Sequence, residues 1–126
     1  MDSLELVNKL ARVMVDMKAE NVVILDLEGI SDILDAFIVG TASGGSHHAR
    51  AISEAVWEEF RKHSRYNGRT EGTDASGWIL LDCGDLVAHV MSPRLRDYYA
   101  LEELWGDAPR IKVGPDEEAE KWSKRE

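Results

Sequence analysis

Two short apolar runs on either side of a glycine-containing break constrain the fold of this chain more than any other feature. The first run is Trp78–Asp82 and the second is Leu86–Met91. Two such runs joined by a tight break are typical of a β-hairpin. The sequence therefore predicts a hairpin with Cys83 and Gly84 as its turn residues.

The two faces of this hairpin differ in chemistry. In the predicted register Asp82 lies opposite Asp85 and Trp78 lies opposite His89, and directly opposed residues share a face. The apolar face, expected to meet the core, consists of Ile79, Leu81, Leu86, Ala88 and Val90. The face with polar groups consists of Trp78, Leu80, Val87, His89 and Met91. Its composition suits a partner surface or a core sheet with one hydrogen-bonded histidine, and on chemistry alone the core interpretation is favoured.

Length and charge limit the classes of function. A chain of 126 residues suits one domain with its own core. The net charge of −9 argues against binding of bare nucleic acid and favours a basic protein partner. No apolar run has the roughly 20 residues of a membrane span, and the first residues lack signal-peptide character, so a cytoplasmic location is expected. The single cysteine excludes an internal disulfide and fits a reducing compartment.

Periodicity and chain-breaking residues predict the other elements. Helical patterns cover residues 3–19 and 46–64, and a third helix starts at Ser92-Pro93 and ends near residue 106. Strands are predicted at residues 22–27 and 37–40, with an edge strand near 66–71. This alternation predicts a single α/β domain over residues 1–110, with a mixed β-sheet flanked by helices, and leaves the strand order open. Residues 111–126 are expected to form a charged C-terminal tail.

The junction before the second helix is rich in glycine and invites comparison with a phosphate-binding loop. Gly40 and Gly45 have the Walker spacing, but Ser46 and His47 stand where a lysine and a hydroxyl residue are required. A flexible turn is therefore favoured over a nucleotide site. His47 and His48 are neighbours on a helix and point about 100° apart, which does not suit a shared metal ion.

Asp82 and Asp85 carry the enzyme hypothesis. Two neighbouring carboxylates can hold a divalent cation, as in nucleotide-transferring enzymes, but a third carboxylate and a phosphate-binding loop are not evident. Hydrogen bonding at a turn is the favoured role for both aspartates. His89 as a general base would need a nucleophile beside it, and Cys83 lies at the opposite end of the hairpin.

Several blocks of the sequence, in order between Leu4 and Ala108, resemble the ribosomal silencing factor (Iojap) family. The blocks are Asp35–Val39, Ser46–Ile52, Glu71-Gly72, Gly77–Asp82, Gly84-Asp85, His89 and Tyr98–Trp105. Two departures stand out. Cys83 occupies a position where relatives usually have an aromatic or bulky apolar residue, and the Gly44-Gly45 pair is smaller than the common pattern.

The resemblance implies a mixed-sheet domain related to the nucleotidyltransferase fold but without its catalytic carboxylates, and hence no enzymatic activity and no cofactor. It also implies a homodimer that binds the large ribosomal subunit through its fourteenth ribosomal protein. Bound there, such a protein blocks association with the small subunit and represses translation when nutrients are scarce. The alternative hypothesis is a metal-dependent, nucleotidyltransferase-like enzyme that uses Asp82 and Asp85.

The candidate partner-binding residues lie on the hairpin and on the helix that follows it. Large side chains are expected to anchor the partner, and two aspartates are expected to complement its positive charge. The residues are Trp78, His89, Met91, Tyr98, Leu101, Leu104, Asp82 and Asp85. No membrane contact, no sequence-specific nucleic-acid contact and no metal site is expected.

Overall fold

Six strands form one sheet in the computed structural model, which describes residues 3–99, 106 and 108–114. The strands are β1 (Glu20–Asp26), β2 (Ala36–Thr41), β3 (Arg69–Thr73), β4 (Trp78–Asp82), β5 (Leu86–Met91) and β6 (Arg110–Val113). Their spatial order is β3-β4-β5-β2-β1-β6. Only β2 and β5 pair in parallel among these neighbours, so the sheet is mixed. The predicted α/β domain with a mixed sheet is confirmed.

Three helices pack on this sheet: α1 (Ser3–Asp16), α2 (Gly45–His63) and α3 (Pro93–Tyr99), and a 3-10 turn at Asp74–Ser76 joins β3 to β4. The predicted apolar stripes of α1 and α2 are buried against one face of the sheet. The opposite face packs against Leu95 of α3. Ser92 caps α3 as predicted, because its Oγ accepts a hydrogen bond from the Leu95 N–H at 3.2 Å. No helix in the described part of the chain is both long and apolar enough to span a bilayer.

The bounds of the predicted hairpin are confirmed, but its register is wrong. Trp78 lies opposite Met91, two positions beyond the predicted partner. The Cys83 N–H donates to the Leu86 carbonyl at 3.0 Å, which leaves the next two residues as the turn. The first of them, Gly84, has a φ of +89°, the arrangement of a type II′ turn. A shift of two positions keeps every side chain on its predicted face, so the assignment of the faces is confirmed.

The sequence analysis missed β6, and the domain boundary predicted at residue 110 falls inside it. This strand pairs antiparallel with β1 and extends the sheet to Val113. Ile111 and Val113 are buried, whereas Arg110 and Lys112 are exposed. Two apolar residues in a charged stretch are too few to distinguish a strand from a tail by periodicity. The continuation of the third helix towards residue 106 and the tail after residue 114 lie outside the described residues.

Candidate functional site

Five aromatic rings form a continuous series from the core to the surface on the face that α3 covers. The ring centroids of Phe37 and His89 are 4.6 Å apart, and those of His89 and Trp78 are 5.9 Å apart. Trp78 lies 4.9 Å from Tyr99, which lies 4.9 Å from Tyr98. Exposure rises from 3% at His89 to 47% at Tyr99 and 77% at Tyr98. We call these rings the aromatic series.

The position of α3 determines the exposed end of the aromatic series. The Ser92 N–H donates to the Gly77 carbonyl at 2.8 Å, which ties the start of α3 to the residue before β4. The buried Arg96 donates from Nη1 to Thr41 Oγ1 at 2.8 Å, which ties the same helix to the end of β2. These two attachments hold the last turn of α3, which carries both tyrosines, beside Trp78.

His89 is a buried, neutral hydrogen-bond acceptor. Trp78 donates from Nε1 to His89 Nδ1 at 3.1 Å, so the proton of the neutral imidazole is assigned to Nε2. Burial lowers the pKa of His89 to about 4. No described residue forms a hydrogen bond with Nε2. The imidazole therefore fixes the orientation of the Trp78 indole and does not carry charge near neutral pH.

The structure brings together only some of the predicted partner-binding residues. Trp78 is half-buried and meets Tyr98 through Tyr99. His89 and Met91 are 3% and 0% exposed, so they lie beneath the surface and support it. This burial argues against a direct contact of these two side chains with a partner. Leu101 and Leu104 lie outside the described residues.

Asp82 and Asp85 lie at the turn of the hairpin, at the other end of β4 from Trp78. Asp82 Oδ1 accepts a hydrogen bond from the Gly84 N–H at 3.0 Å. The Asp85 carbonyl accepts one from the Asp35 N–H at 2.6 Å, while the Asp85 residue is exposed. The turn role predicted for Asp82 is confirmed, and the aspartates are separated from the aromatic series by the length of β4.

Gly40 and His48, which the sequence analysis considered for chemistry, have structural roles. Within residues 3–99, 106 and 108–114, no three His, Cys, Asp or Glu side chains are grouped to hold a metal ion. Gly40 lies inside β2, where an added Cβ would be 2.9 Å from Met14 Sδ, so packing explains this glycine. His48 uses both ring nitrogens, because Nδ1 accepts from the Gly44 N–H at 3.0 Å and Nε2 lies 2.8 Å from the Met17 carbonyl oxygen.

The single cysteine is separated from His89 by the sheet itself. Cys83 belongs to the core cluster on the α1 and α2 face, whereas His89 lies on the α3 face. Burial, with a smaller contribution from the charge of Asp82, raises the pKa of the Cys83 thiol to about 12. A thiol in this state is a poor nucleophile at neutral pH, so a Cys/His pair does not form here.

Tyr99 is the site residue that the sequence analysis did not select. It contacts both Trp78 and Tyr98 and links the half-buried indole to the exposed tyrosine. Its position next to Tyr98 on the predicted helix was the available signal, but that helix had no predicted orientation on the sheet.

Comparison with known proteins identifies the family. The model of the family described as "Ribosomal silencing factor during starvation" matches residues 1–126. The chain belongs to this family. A ribosomal silencing factor of Halalkalibacterium halodurans is 38% identical over 117 residues, which cover 90% of this chain and 96% of that protein. Membership confirms the resemblance seen in the sequence, and the family name describes regulation of ribosomes, which is consistent with a non-enzymatic role.

A solved structure and a more distant relative extend the comparison with the ribosomal silencing factors. A crystal structure of a Chromobacterium violaceum protein matches with a TM-score of 0.75 at 30% identity, covering 83% of this chain and 88% of that chain. A mouse protein named "Mitochondrial assembly of ribosomal large subunit protein 1" is 32% identical over 73 residues, which cover 56% of this chain and 32% of that protein.

Proposed function

We propose that this ribosomal silencing factor binds the large ribosomal subunit through its fourteenth ribosomal protein and blocks association with the small subunit. It represses translation under nutrient limitation in this way, and it acts in the cytoplasm as a homodimer. The family description supports silencing during starvation, and the name of the mouse relative supports a connection with the large subunit. The proposed mechanism is occlusion, which requires binding and no reaction.

The observation that carries the proposal is the exposed end of the aromatic series. Tyr98 and Tyr99 are 77% and 47% exposed, and their rings pack on each other and on Trp78. Tyrosine and tryptophan are enriched among the residues that dominate binding energy, because large rings bury much apolar area and lose little conformational freedom. A micromolar dissociation constant corresponds to about 8 kcal/mol, which a few such anchors can supply.

Charge supports the same class of partner. The chain carries a net charge of −9, and basic ribosomal proteins have the opposite sign. Asp82 and Asp85 lie away from the aromatic series, so we assign them to the rim of the contact rather than its centre. Charges at a rim mainly raise the association rate, and their effect weakens with added salt.

Substitution of Tyr98 tests the proposed contact. Tyr98→Ala should reduce co-sedimentation with isolated large subunits, because the ring is exposed and its removal leaves the core intact. Tyr66→Ala compares the rim with the centre, since Tyr66 is 51% exposed and lies beside Gly84 at the hairpin turn; it should reduce binding less than Tyr98→Ala does. Equal binding of both variants and the unsubstituted chain would remove Tyr98 from the contact.

Two further measurements test the mechanism. Adding small subunits to the sedimentation assay should yield fewer joined ribosomes when the unsubstituted chain is present than when Tyr98→Ala is present. Calorimetric titration with magnesium and nucleotides should give no heat of binding. Heat from that titration that is lost on replacing Asp82 would instead support the nucleotidyltransferase-like alternative.

A further inference from the structure

β3 is the outermost strand at one edge of the sheet, and every one of its residues is exposed. Its sequence is Arg-Thr-Glu-Gly-Thr, with two opposite charges two positions apart. A strand at a sheet edge has N–H and C=O groups without partners in the sheet, and these groups can pair with another strand. The chemistry of this edge therefore determines which strand it can accept.

The hairpin shows which backbone groups of β3 point outward. Cys83 and Leu86 form a hydrogen-bonded pair, so odd-numbered residues of β4 bond to β5 and even-numbered residues bond to β3. Arg69 and Glu71 lie opposite even-numbered residues of β4. Their backbone groups are therefore used inside the sheet, whereas the N–H and C=O of Thr70 point away from it.

We propose that β3 pairs antiparallel with β3 of a second copy of this chain, with Thr70 on the two-fold axis. In this register the outward groups of Thr70 meet those of the partner's Thr70, and Arg69 lies opposite the partner's Glu71. The symmetry repeats the charge pair, so each dimer contains it twice. Directly opposed residues of opposite charge stabilise paired strands.

The neighbouring registers are unfavourable. Outward backbone groups meet again only after a shift of two residues, because these groups alternate along a strand. A shift in one direction places Glu71 opposite the partner's Glu71, and a shift in the other places Arg69 opposite the partner's Arg69. Like charges directly opposite each other destabilise strand pairing. Charge therefore favours the register centred on Thr70 over both of its neighbouring registers.

The strand at the other sheet edge is not complementary to a second copy of itself. β6 exposes Arg110 and Lys112 on one face, and its two alternate residues are buried in the core. Antiparallel pairing of this strand with itself would bring basic side chains opposite each other. Of the two edges formed by described strands, β3 alone is complementary to itself.

Trp57 gives the proposed interface a second, more apolar side. Its Nε1 donates to Thr70 Oγ1 at 2.8 Å, and the Arg61 guanidinium lies 5.6 Å from the centroid of its ring. Successive side chains of a strand alternate between faces, so Arg69 and Glu71 lie on the face opposite Trp57. The two-fold axis thus passes between a pair of indoles on one face and two charge pairs on the other.

This interface is the contact between the two copies in the homodimer, and it rests on the proposed function in that respect. The experiment that tests the interface needs no ribosome. Arg69→Glu and Glu71→Arg each turn two attractive pairs into two repulsive ones. Each variant should raise the dimer dissociation constant about ten-fold or more, measured by sedimentation equilibrium. The double variant R69E/E71R restores both pairs and should dimerise like the unsubstituted chain. Arg69 and Glu71 are exposed in each copy, and circular dichroism checks that each variant is folded.

Three results of the charge-swap experiment would overturn the proposal. These are a monomeric unsubstituted chain at every concentration tested, single variants that remain fully dimeric, and a double variant that stays monomeric. Lys112→Glu is the control on the other edge and should leave the dimer unchanged. A dimer that survives both single substitutions would place the interface elsewhere and would leave ribosome binding to be judged by the Tyr98 assay.

Cysteine cross-linking tests the register itself. Arg69→Cys and Glu71→Cys are prepared separately, and the buried Cys83 is common to both. Under oxidation the mixture should form a disulfide-linked dimer, because the two introduced cysteines lie opposite each other, and neither variant should do so alone. Cross-linking of Glu71→Cys with itself, or no cross-linking in the mixture, would contradict the register.

Discussion

The buried His89 should make the stability of this protein fall between pH 6.5 and pH 4. Burial lowers its pKa from 6.5 to about 4. The unfolded chain therefore binds a proton near pH 6.5, and the folded chain does so only near pH 4. As the pH falls through this interval the unfolded state holds more protons, so the free energy of unfolding decreases. The difference between these two pKa values corresponds to about 3 kcal/mol.

Urea unfolding followed by tryptophan fluorescence measures this loss. The unsubstituted chain is compared with His89→Asn between pH 7.5 and pH 4, since the asparagine oxygen can still accept from Trp78 but does not titrate. The variant should be less stable at pH 7.5 because its side chain fills less of the site. The stability difference should shrink by about 3 kcal/mol as the pH falls to 4, because carboxylates common to both chains cancel in the comparison.

His47→Gln is the matched control for this experiment. His47 is exposed on the first turn of α2, so the stability of this variant should follow the unsubstituted chain across the whole pH range. Parallel pH curves for His89→Asn and the unsubstituted chain would refute the reasoning. They would mean that the imidazole is charged or hydrated in the folded state.

Three other substitutions test separate parts of the structure. Trp78→Phe keeps a ring but leaves His89 Nδ1 without its donor, and should lower the free energy of unfolding in urea by about 1–3 kcal/mol. Gly84→Ala forces a residue with a Cβ to keep a φ of +89°, and a loss of about 1–3 kcal/mol in the same assay is expected. His63 Nε2 lies 2.7 Å from Glu59 Oε2, and this hydrogen bond lowers the pKa of the Glu59 carboxyl. The ionised carboxylate therefore stabilises the folded state, and this contribution should be lost as the pH falls through the lowered pKa. Glu59→Gln should therefore make the melting temperature decrease less steeply at acid pH.

The local elements of this fold other than β6 were predictable, and the hairpin shows where prediction stopped. Its two strands and their faces followed from apolar alternation alone. The register did not, because a single glycine fits a turn either as the second central residue or, as observed at Gly84, as the first. The two choices differ by one residue in the position of the turn. They place the same side chains on the same faces, so the hydrophobic pattern could not separate them.

The candidate site was less predictable because long-range contacts determine it. The ring of Phe37 contacts His89 because β2 and β5 pair in parallel and bring the two residues side by side. The contact between Trp78 and Tyr99 depends on the placement of α3, to which a hydrogen bond between residues 55 positions apart contributes. No local pattern contains either fact. The sequence therefore indicated Trp78, His89 and Tyr98 as site residues, but not Phe37 and Tyr99, and not which rings reach the surface.

The aromatic series connects the stability of the core to the presentation of the surface. At its inner end, Phe37 and His89 are held by packing, and the neutral imidazole orients the Trp78 indole. At its outer end, Tyr98 and Tyr99 meet solvent with their rings already packed on one another. A side chain that is fixed before binding loses less conformational entropy when a partner arrives. In the proposed contact the buried rings contribute by holding the exposed rings in place.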